Sequence, residues 1–172
     1  MKTFCMPFIL MITLLLGCSN GPSEEEMIHE AIRMATSVKK MHFDVQEYHD
    51  YDDFDTWTKR AEALKPYYTE KAYQVLLANR EHTLPLYVAS EERAKISVKS
   101  MSMSIKSEPN QLEKLTFHYT MTVTVTYEDD DSSKDILIAG QMDIVQEDGT
   151  WKISRDWDDG SLLKEAHRKG ES

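Results

Sequence analysis

Thirteen consecutive residues, Leu115 to Tyr127, alternate without a break between apolar and polar side chains. Leu115, Phe117, Tyr119, Met121, Val123, Val125 and Tyr127 share one phase, while Thr116, His118, Thr120, Thr122, Thr124 and Thr126 share the other. A helix scatters such a series around its axis, so a period of two over this length demands a long strand with one face buried and one face wet. Strands of that kind belong to antiparallel sheets, whose second face can stand in water.

The neighbouring segments carry the same period. Ile96 and Val98 lie in one phase and Met101, Met103 and Ile105 in the other, which predicts a β-bulge near Lys99 or Ser100. Ile136, Ile138, Met142 and Ile144 make a third strand with Gly140 as a bend point. Asp148-Gly149 is a tight hairpin signal leading into Trp151 and Ile153, with Trp157 continuing the series. Residues after Gly160 read as a short helix or tail.

Before Ala94 the period is helical. Ser23 with Glu26 is a capping box, and Met27, Ala31, Met34, Val38, Met41 and Val45 form a stripe that predicts a helix over about residues 23 to 46 with the methionines buried. Asp55 is the expected cap of a second helix with Trp57, Ala61 and Leu64 on one side, ended by Pro66, and Thr69 caps a third with Ala72, Tyr73, Leu76 and Leu77 inward. Asn79 to Arg93 contains Pro85 and no clear period, and is expected to be an irregular connection. Helices followed by a four-stranded meander give an α+β class, with amino-terminal helices packed on the concave face of a curved four-stranded antiparallel sheet.

The amino-terminus sets the compartment. Lys2, an apolar run from Phe4 to Leu16 and then Gly17-Cys18 follow the plan of a secretory signal, too short for a membrane span. Leu15-Leu16-Gly17-Cys18 resembles the bacterial lipobox, which implies removal of residues 1–17 and acylation of Cys18, with palmitate among the usual chains. Cys5 leaves with the signal, so the mature chain keeps no free thiol. Two acyl chains suffice for stable anchoring. The expected organisation is a signal peptide over 1–17, a lipidated tether over 18–22, a domain over 23–160 and a tail over 161–172. The tether reaches only about 14 Å beyond the lipid. A net charge of −10, made more negative by one when Lys2 is removed, repels anionic lipid and nucleic acid. The location expected is the extracytoplasmic side of a cell membrane, and about 150 mature residues suit one core.

The helical amino-terminal part, the Tyr67-Tyr68-Thr69-Glu70 helix entry, the long bent strands and the closing hairpin Gln146-Glu147-Asp148-Gly149-Thr150-Trp151-Lys152-Ile153 together resemble the NTF2-like or cystatin-like superfamily over about residues 23–158. The resemblance implies a cone-shaped interior, used by its enzymes as an active site, and an open sheet face through which related domains commonly dimerise. Outward-facing members resemble accessory parts of envelope or conjugation machinery.

Chemical signatures point away from catalysis. There is no G-x-S-x-G and no phosphate-binding glycine loop. His29-Glu30 opens like a zinc-protease helix, but Arg33 stands where the second histidine is needed. His42 and His49 are read as a solvent-facing pair, because a metal needs further convergent ligands. Asp129-Asp130-Asp131 lacks the EF-hand glycine and glutamate, with Lys134 and Gly140 at those places, and reads as a charged hairpin tip; Asp50, Asp52, Asp53 and Asp55 read as solvated. No catalytic residue, metal site or cofactor is assigned. The reading preferred is a membrane-anchored, non-enzymatic interaction or assembly domain with a protein partner or a second copy on the face of Thr116, His118, Thr120, Thr122 and Thr124. The alternatives are a small-molecule binder, or an isomerase- or dehydratase-type enzyme, in a cavity lined by Trp57, Tyr119, Met142 and Trp151.

Overall fold

The computed structural model describes residues 21–47, 53–106 and 113–166. Cys18, the expected signal peptide, His49, Asp50, Asp52 and the tail beyond 166 lie outside the described residues.

Helix α1, Glu24–Phe43, begins at the expected capping box: Glu26 N–H donates to Ser23 Oγ at 3.3 Å, and Ser23 N–H donates to Glu26 Oε2 at 2.7 Å. It ends sooner than the stripe predicts, because Asp44 and Val45 are recruited by the sheet. Val45 and Ile96 exchange two backbone hydrogen bonds of 2.8 and 2.9 Å, and Asp44 Oδ1 accepts from Val98 N–H at 2.7 Å. These contacts satisfy donors that an edge strand otherwise leaves open. The buried side is rotated from the methionine stripe: Ala31, Ala35, Val38, Lys39, His42 and Phe43 face inward, Met27 and Met34 are half-buried, and Met41 is exposed. Two alanines on this side let the helix lie close to its neighbours, and a lysine and a histidine enter the interior with it.

Helix α2, Phe54–Leu64, is capped by Asp53 rather than Asp55; Asp53 accepts from Asp55 N–H at 3.1 Å and Thr56 N–H at 3.2 Å. A 3₁₀ turn, Lys65–Tyr67, takes up Pro66 and leads to α3, Glu70–Ala78, whose cap Thr69 accepts from Ala72 N–H at 3.3 Å. The connection expected to be irregular is largely helical: a 3₁₀ turn, Glu81–Thr83, runs into α4, Leu84–Glu92. Pro85 sits in the first turn of α4, where no N–H partner is required, so it starts the helix instead of breaking it. Pro85, Leu86, Val88 and Ala89 are buried around more than one side of α4, which removes the single stripe that pattern reading needs.

Strands β1 (Ala94–Ile105), β2 (Lys114–Tyr127), β3 (Ser133–Glu147) and β4 (Thr150–Asp158) pair antiparallel in that order. All seven apolar residues of the β2 series are buried, and the register of β1 shifts between Val98 and Ser100, where the phase change requires. Asp148 and Gly149 both have positive φ, 51° and 73°, the geometry of a tight hairpin. Helix α5, Ser161–Glu165, closes the domain with Leu162 and Ala166 in the core, and Tyr127 Oη donates to the Ala166 carbonyl at 2.7 Å. The helices therefore cover the face presented by Tyr127 and Phe117, and among the described residues no element covers the threonine face.

Register shifts a second time between Asp143 and Ile144, with Ile153 and Arg155 opposite them and Ser154 as the extra residue. This bulge inverts the phase of β4. Trp151 and Ile153 point inward, then Asp156 does, and Trp157, expected inside, is 60% exposed.

Candidate functional site

The inverted phase of β4 delivers a carboxylate into the space between helices and sheet. Asp156 Oδ2 lies 2.8 Å from Lys39 Nζ, with the two side chains 8% and 1% exposed. Asp156 Oδ1 accepts from Tyr119 Oη at 3.2 Å, and the Lys39 ammonium rests 4.7 Å from the centre of the Tyr119 ring and 5.2 Å from that of Phe43. A buried ion pair persists where its remaining hydrogen-bonding capacity is met, and here a phenol and two aromatic faces meet it. Burial, with Asp156 beside it, pushes the Tyr119 phenol far above the usual tyrosine range, so it acts as a donor. The Tyr68 hydroxyl is raised in the same way by burial and by Asp156, yet among the described residues it has no hydrogen bond of ordinary geometry.

His42 lies one helical turn after Lys39, 6% exposed. It is not the solvent-facing residue expected: its Nε2 is 2.8 Å from the Glu81 carbonyl oxygen, and Nδ1 has no hydrogen-bond partner among the described residues. A carbonyl only accepts, so the proton is assigned to Nε2 and Nδ1 carries a bare lone pair. Burial, reinforced by the Lys39 charge, lowers the imidazole pKa to about 3. Arg60 on α2 pins this end of α1, donating to the His42 carbonyl at 2.7 Å and to the Asp44 and His82 carbonyls at 3.4 Å each.

A neutral buried histidine carries a pH signature. Its folded pKa lies below the unfolded value of about 6.5, so between about pH 3 and 6.5 the unfolded chain binds more protons. The stabilisation is complete above that window and is lost as pH falls through it, by up to about 1.4 kcal/mol per pH unit. Urea titrations at about pH 7.5 and about 5.5 are expected to show the wild type losing about 1.4 kcal/mol more than His42→Gln, and equal losses would disprove a buried neutral imidazole.

Two cavities flank the ion pair. One, of about 150 Å³, is bordered by His42, Phe43, Glu81, Leu84, Pro85, Trp157 and Asp158 as well as by the pair itself. The other, of about 260 Å³, lies between α3 and β4 and includes Tyr68, Lys71, Val75, Leu76 and Arg155. Glu81 and Asp156 border both. Of the four residues expected to line a pocket, Tyr119 joins the ion-pair cluster. Met142 and Trp151 are buried in the core, and Trp57 is half-buried with the Arg80 guanidinium 6.0 Å from its ring centre. None of the four borders either cavity.

The face expected to interact is assembled as the alternation implies. Thr116, His118, Thr120, Thr122 and Thr124 run down the open side of β2, beside Ser97, Ser100, Ser102 and Ser104 of β1. On the β3 side stand Asp143, Gln141, Ala139, Leu137 and Asp135, and Trp157 pairs with Gln141. Thr116 Oγ1 donates to Asp143 at 2.9 Å and Thr124 Oγ1 to Asp135 at 2.7 Å, while His118 and Thr120 are exposed. Leu137 and Trp157, each 60% exposed, are the large apolar side chains of this face.

Asp156 was not legible as a partner of Lys39 and His42, since it lies far from both in sequence and is turned inward only by the Ser154 bulge. The available signal was weak: Lys39 follows Val38 and lies four residues after Ala35, on the side of α1 that the alanines share.

No family model matches the chain, and no curated protein sequence matches it. Solved structures do. The periplasmic domain of DotI superposes with a TM-score of 0.52 at 13% identity, over 81% of this chain and 97% of that one. An IcmL-like type IV secretion system protein from Legionella pneumophila superposes with a TM-score of 0.51 at 11% identity, over 80% of this chain and 93% of that one. At these identities the likeness concerns the fold: helices on one face of a curved four-stranded antiparallel sheet, the NTF2-like α+β architecture.

Proposed function

We propose that this chain is a bacterial lipoprotein, held through Cys18 on the extracytoplasmic side of a membrane, whose open sheet face binds a protein partner or a second copy in an envelope assembly. The observation that carries the reading is that face: four strands wide, covered by no element among the described residues, small and hydroxylated along β1 and β2, with Leu137 and Trp157 standing out of it. A flat β-branched surface with a few large apolar anchors suits docking at low side-chain entropy cost. Two proteins of this fold, a DotI periplasmic domain and an IcmL-like secretion protein, support an envelope setting, and the lipobox supports the anchor.

Acylation makes the mature chain free of thiols, so Thr122→Cys supplies one reporter on the open face. In intact cells a short maleimide–diazirine cross-linker, which joins the introduced thiol to any neighbouring group on irradiation, is expected to capture a larger species through Thr122→Cys and not through Glu62→Cys on the exposed side of α2. Cys18→Ser is expected to release the chain from the membrane fraction. Monomer alone from Thr122→Cys, or membrane retention of Cys18→Ser, would count against the proposal.

A further inference from the structure

A four-stranded sheet has two edges, and each presents unpaired N–H and C=O groups to any extended chain unless something guards it. The β4 edge is guarded: Thr69 N–H donates to the Ile153 carbonyl at 3.0 Å, the bulge at Ser154 interrupts the ladder, and Lys152 and Arg155 add charge. The first part of β1 is guarded too, by Val45 on Ile96, by Asp44 on Val98 and by the bulge at Lys99. From Ser100 to Ile105 the guards stop. This stretch, Ser-Met-Ser-Met-Ser-Ile, holds no charge and no proline.

Its backbone is open in a regular way. Lys106 N–H donates to the Thr116 carbonyl at 2.7 Å, so by alternation Ser104, Ser102 and Ser100 also turn their backbone groups to β2, while Met101, Met103 and Ile105 turn theirs outward. Those three N–H and three C=O groups have no protein partner among the described residues. The side chains supply an independent observation. Met101 and Met103 are half-buried against the core and Ile105 is 42% exposed, so an apolar row lies partly bare beside the open backbone. The occupant that fits is a strand with apolar side chains in the same phase, and the stretch itself is one. Laid antiparallel to its own image, with Met103 opposite Met103 and Met101 opposite Ile105, it satisfies all of these groups in each copy and sets apolar side chains against apolar ones. No like charges face each other across it, which matters in a chain of net charge −10.

We propose that two copies of the chain pair edge to edge through Ser100 to Ile105, antiparallel about a two-fold axis at Met103, so that two four-stranded sheets continue into one. Ser102 then lies opposite Ser104 of the second copy, and the serine and threonine rows of both copies form one surface. The pairing uses the edge and leaves the open face uncovered, so it stands or falls separately from the open-face reading above.

The test is disulfide capture of the full-length chain in intact cells under mild oxidation. Met103→Cys is expected to yield a covalent dimer, because a pair on the axis has its Cα atoms about 5.5 Å apart, and the parent chain is expected to yield none. Thr122→Cys stands three strand spacings, at least about 14 Å, from its counterpart in this pairing and cannot be joined by it. Copies carrying Ser102→Cys, produced together with copies carrying Ser104→Cys, are expected to join to each other more than to themselves. Two changes on the Met103→Cys background close the edge. Met101→Pro removes an outward N–H and spares the β2 ladder, and Ile105→Lys sets an ammonium opposite Met101 from an exposed position. Either is expected to lower the dimer yield by about tenfold or more, with trypsin resistance equal to the parent's reporting an intact fold. The proposal is overturned by no dimer from a trypsin-resistant Met103→Cys chain, by a dimer from Thr122→Cys alone, or by Ser102→Cys joining mainly to itself. Undiminished capture in both closed-edge variants, or conjugates to a different protein only, overturns it equally.

Discussion

Asp156→Ala is expected to lower the stability of the domain by about 3–5 kcal/mol, because it strands the Lys39 ammonium in the interior with no counter-charge. The loss goes beyond the Coulomb attraction. Tyr119 Oη gives up its 3.2 Å acceptor and keeps only the Trp157 carbonyl at 3.4 Å, so a buried hydroxyl is weakened together with a buried cation. Removing both charges is a different perturbation. Lys39→Met with Asp156→Leu replaces a desolvated pair by apolar groups, a change that is often neutral or stabilising, so the double variant is expected to recover most of the loss. Urea melts of Lys39→Met, Asp156→Leu and the double variant should yield a coupling energy above about 2 kcal/mol. If Asp156→Ala costs under about 1 kcal/mol, the pair is solvated and the interior is not as described.

The contrast between the two bulges explains how much of this was legible in the sequence. In β1 the residues on both sides of the irregularity are apolar, Val98 before it and Met101 after it, so the change of phase is written in hydrophobicity. In β4 the inward residue beyond Ser154 is Asp156, and a charged residue there leaves the alternation unreadable; Trp157 then offers a false continuation. The strands, the hairpin and the open threonine face could be read because burial on one side enforces a period of two. The ion-pair cluster could not, because its members occupy positions that hydrophobic patterning assigns to apolar side chains. His42 was misread for the same reason, as polar residues are placed at the surface by default. Helix α4 was hidden by the opposite circumstance, being buried around too much of its circumference to show a stripe, with Pro85 read as a breaker rather than as a first-turn residue.

Gly140→Ala is expected to destabilise by about 3 kcal/mol or more, lowering the midpoint of thermal unfolding by about 10 °C. Gly140 was read from sequence as a bend; in the fold it is the floor under a ring. It pairs across the sheet with Tyr119, and a Cβ at 140 would stand 2.3 Å from Tyr119 Cζ, 2.4 Å from Tyr119 Oη and 2.4 Å from the Trp157 carbonyl oxygen. Side chains cannot share that space, so the tyrosine must leave the face of the Lys39 ammonium and release Asp156, or β4 must move off β3. Because the collision couples the two positions, Tyr119→Ala combined with Gly140→Ala should cost less than the two single changes added. The double variant still does not return to the stability of Tyr119→Ala, since the Trp157 carbonyl is backbone and stays in the way. Gly21→Ala, with no atom of the described residues within 4 Å of the new methyl, is the matched control and is expected to stay within about 0.5 kcal/mol of wild type. A Gly140→Ala domain melting with the control would mean that Tyr119 does not cross the strand pair, and the ion pair would then lack the aromatic wall that keeps it dry.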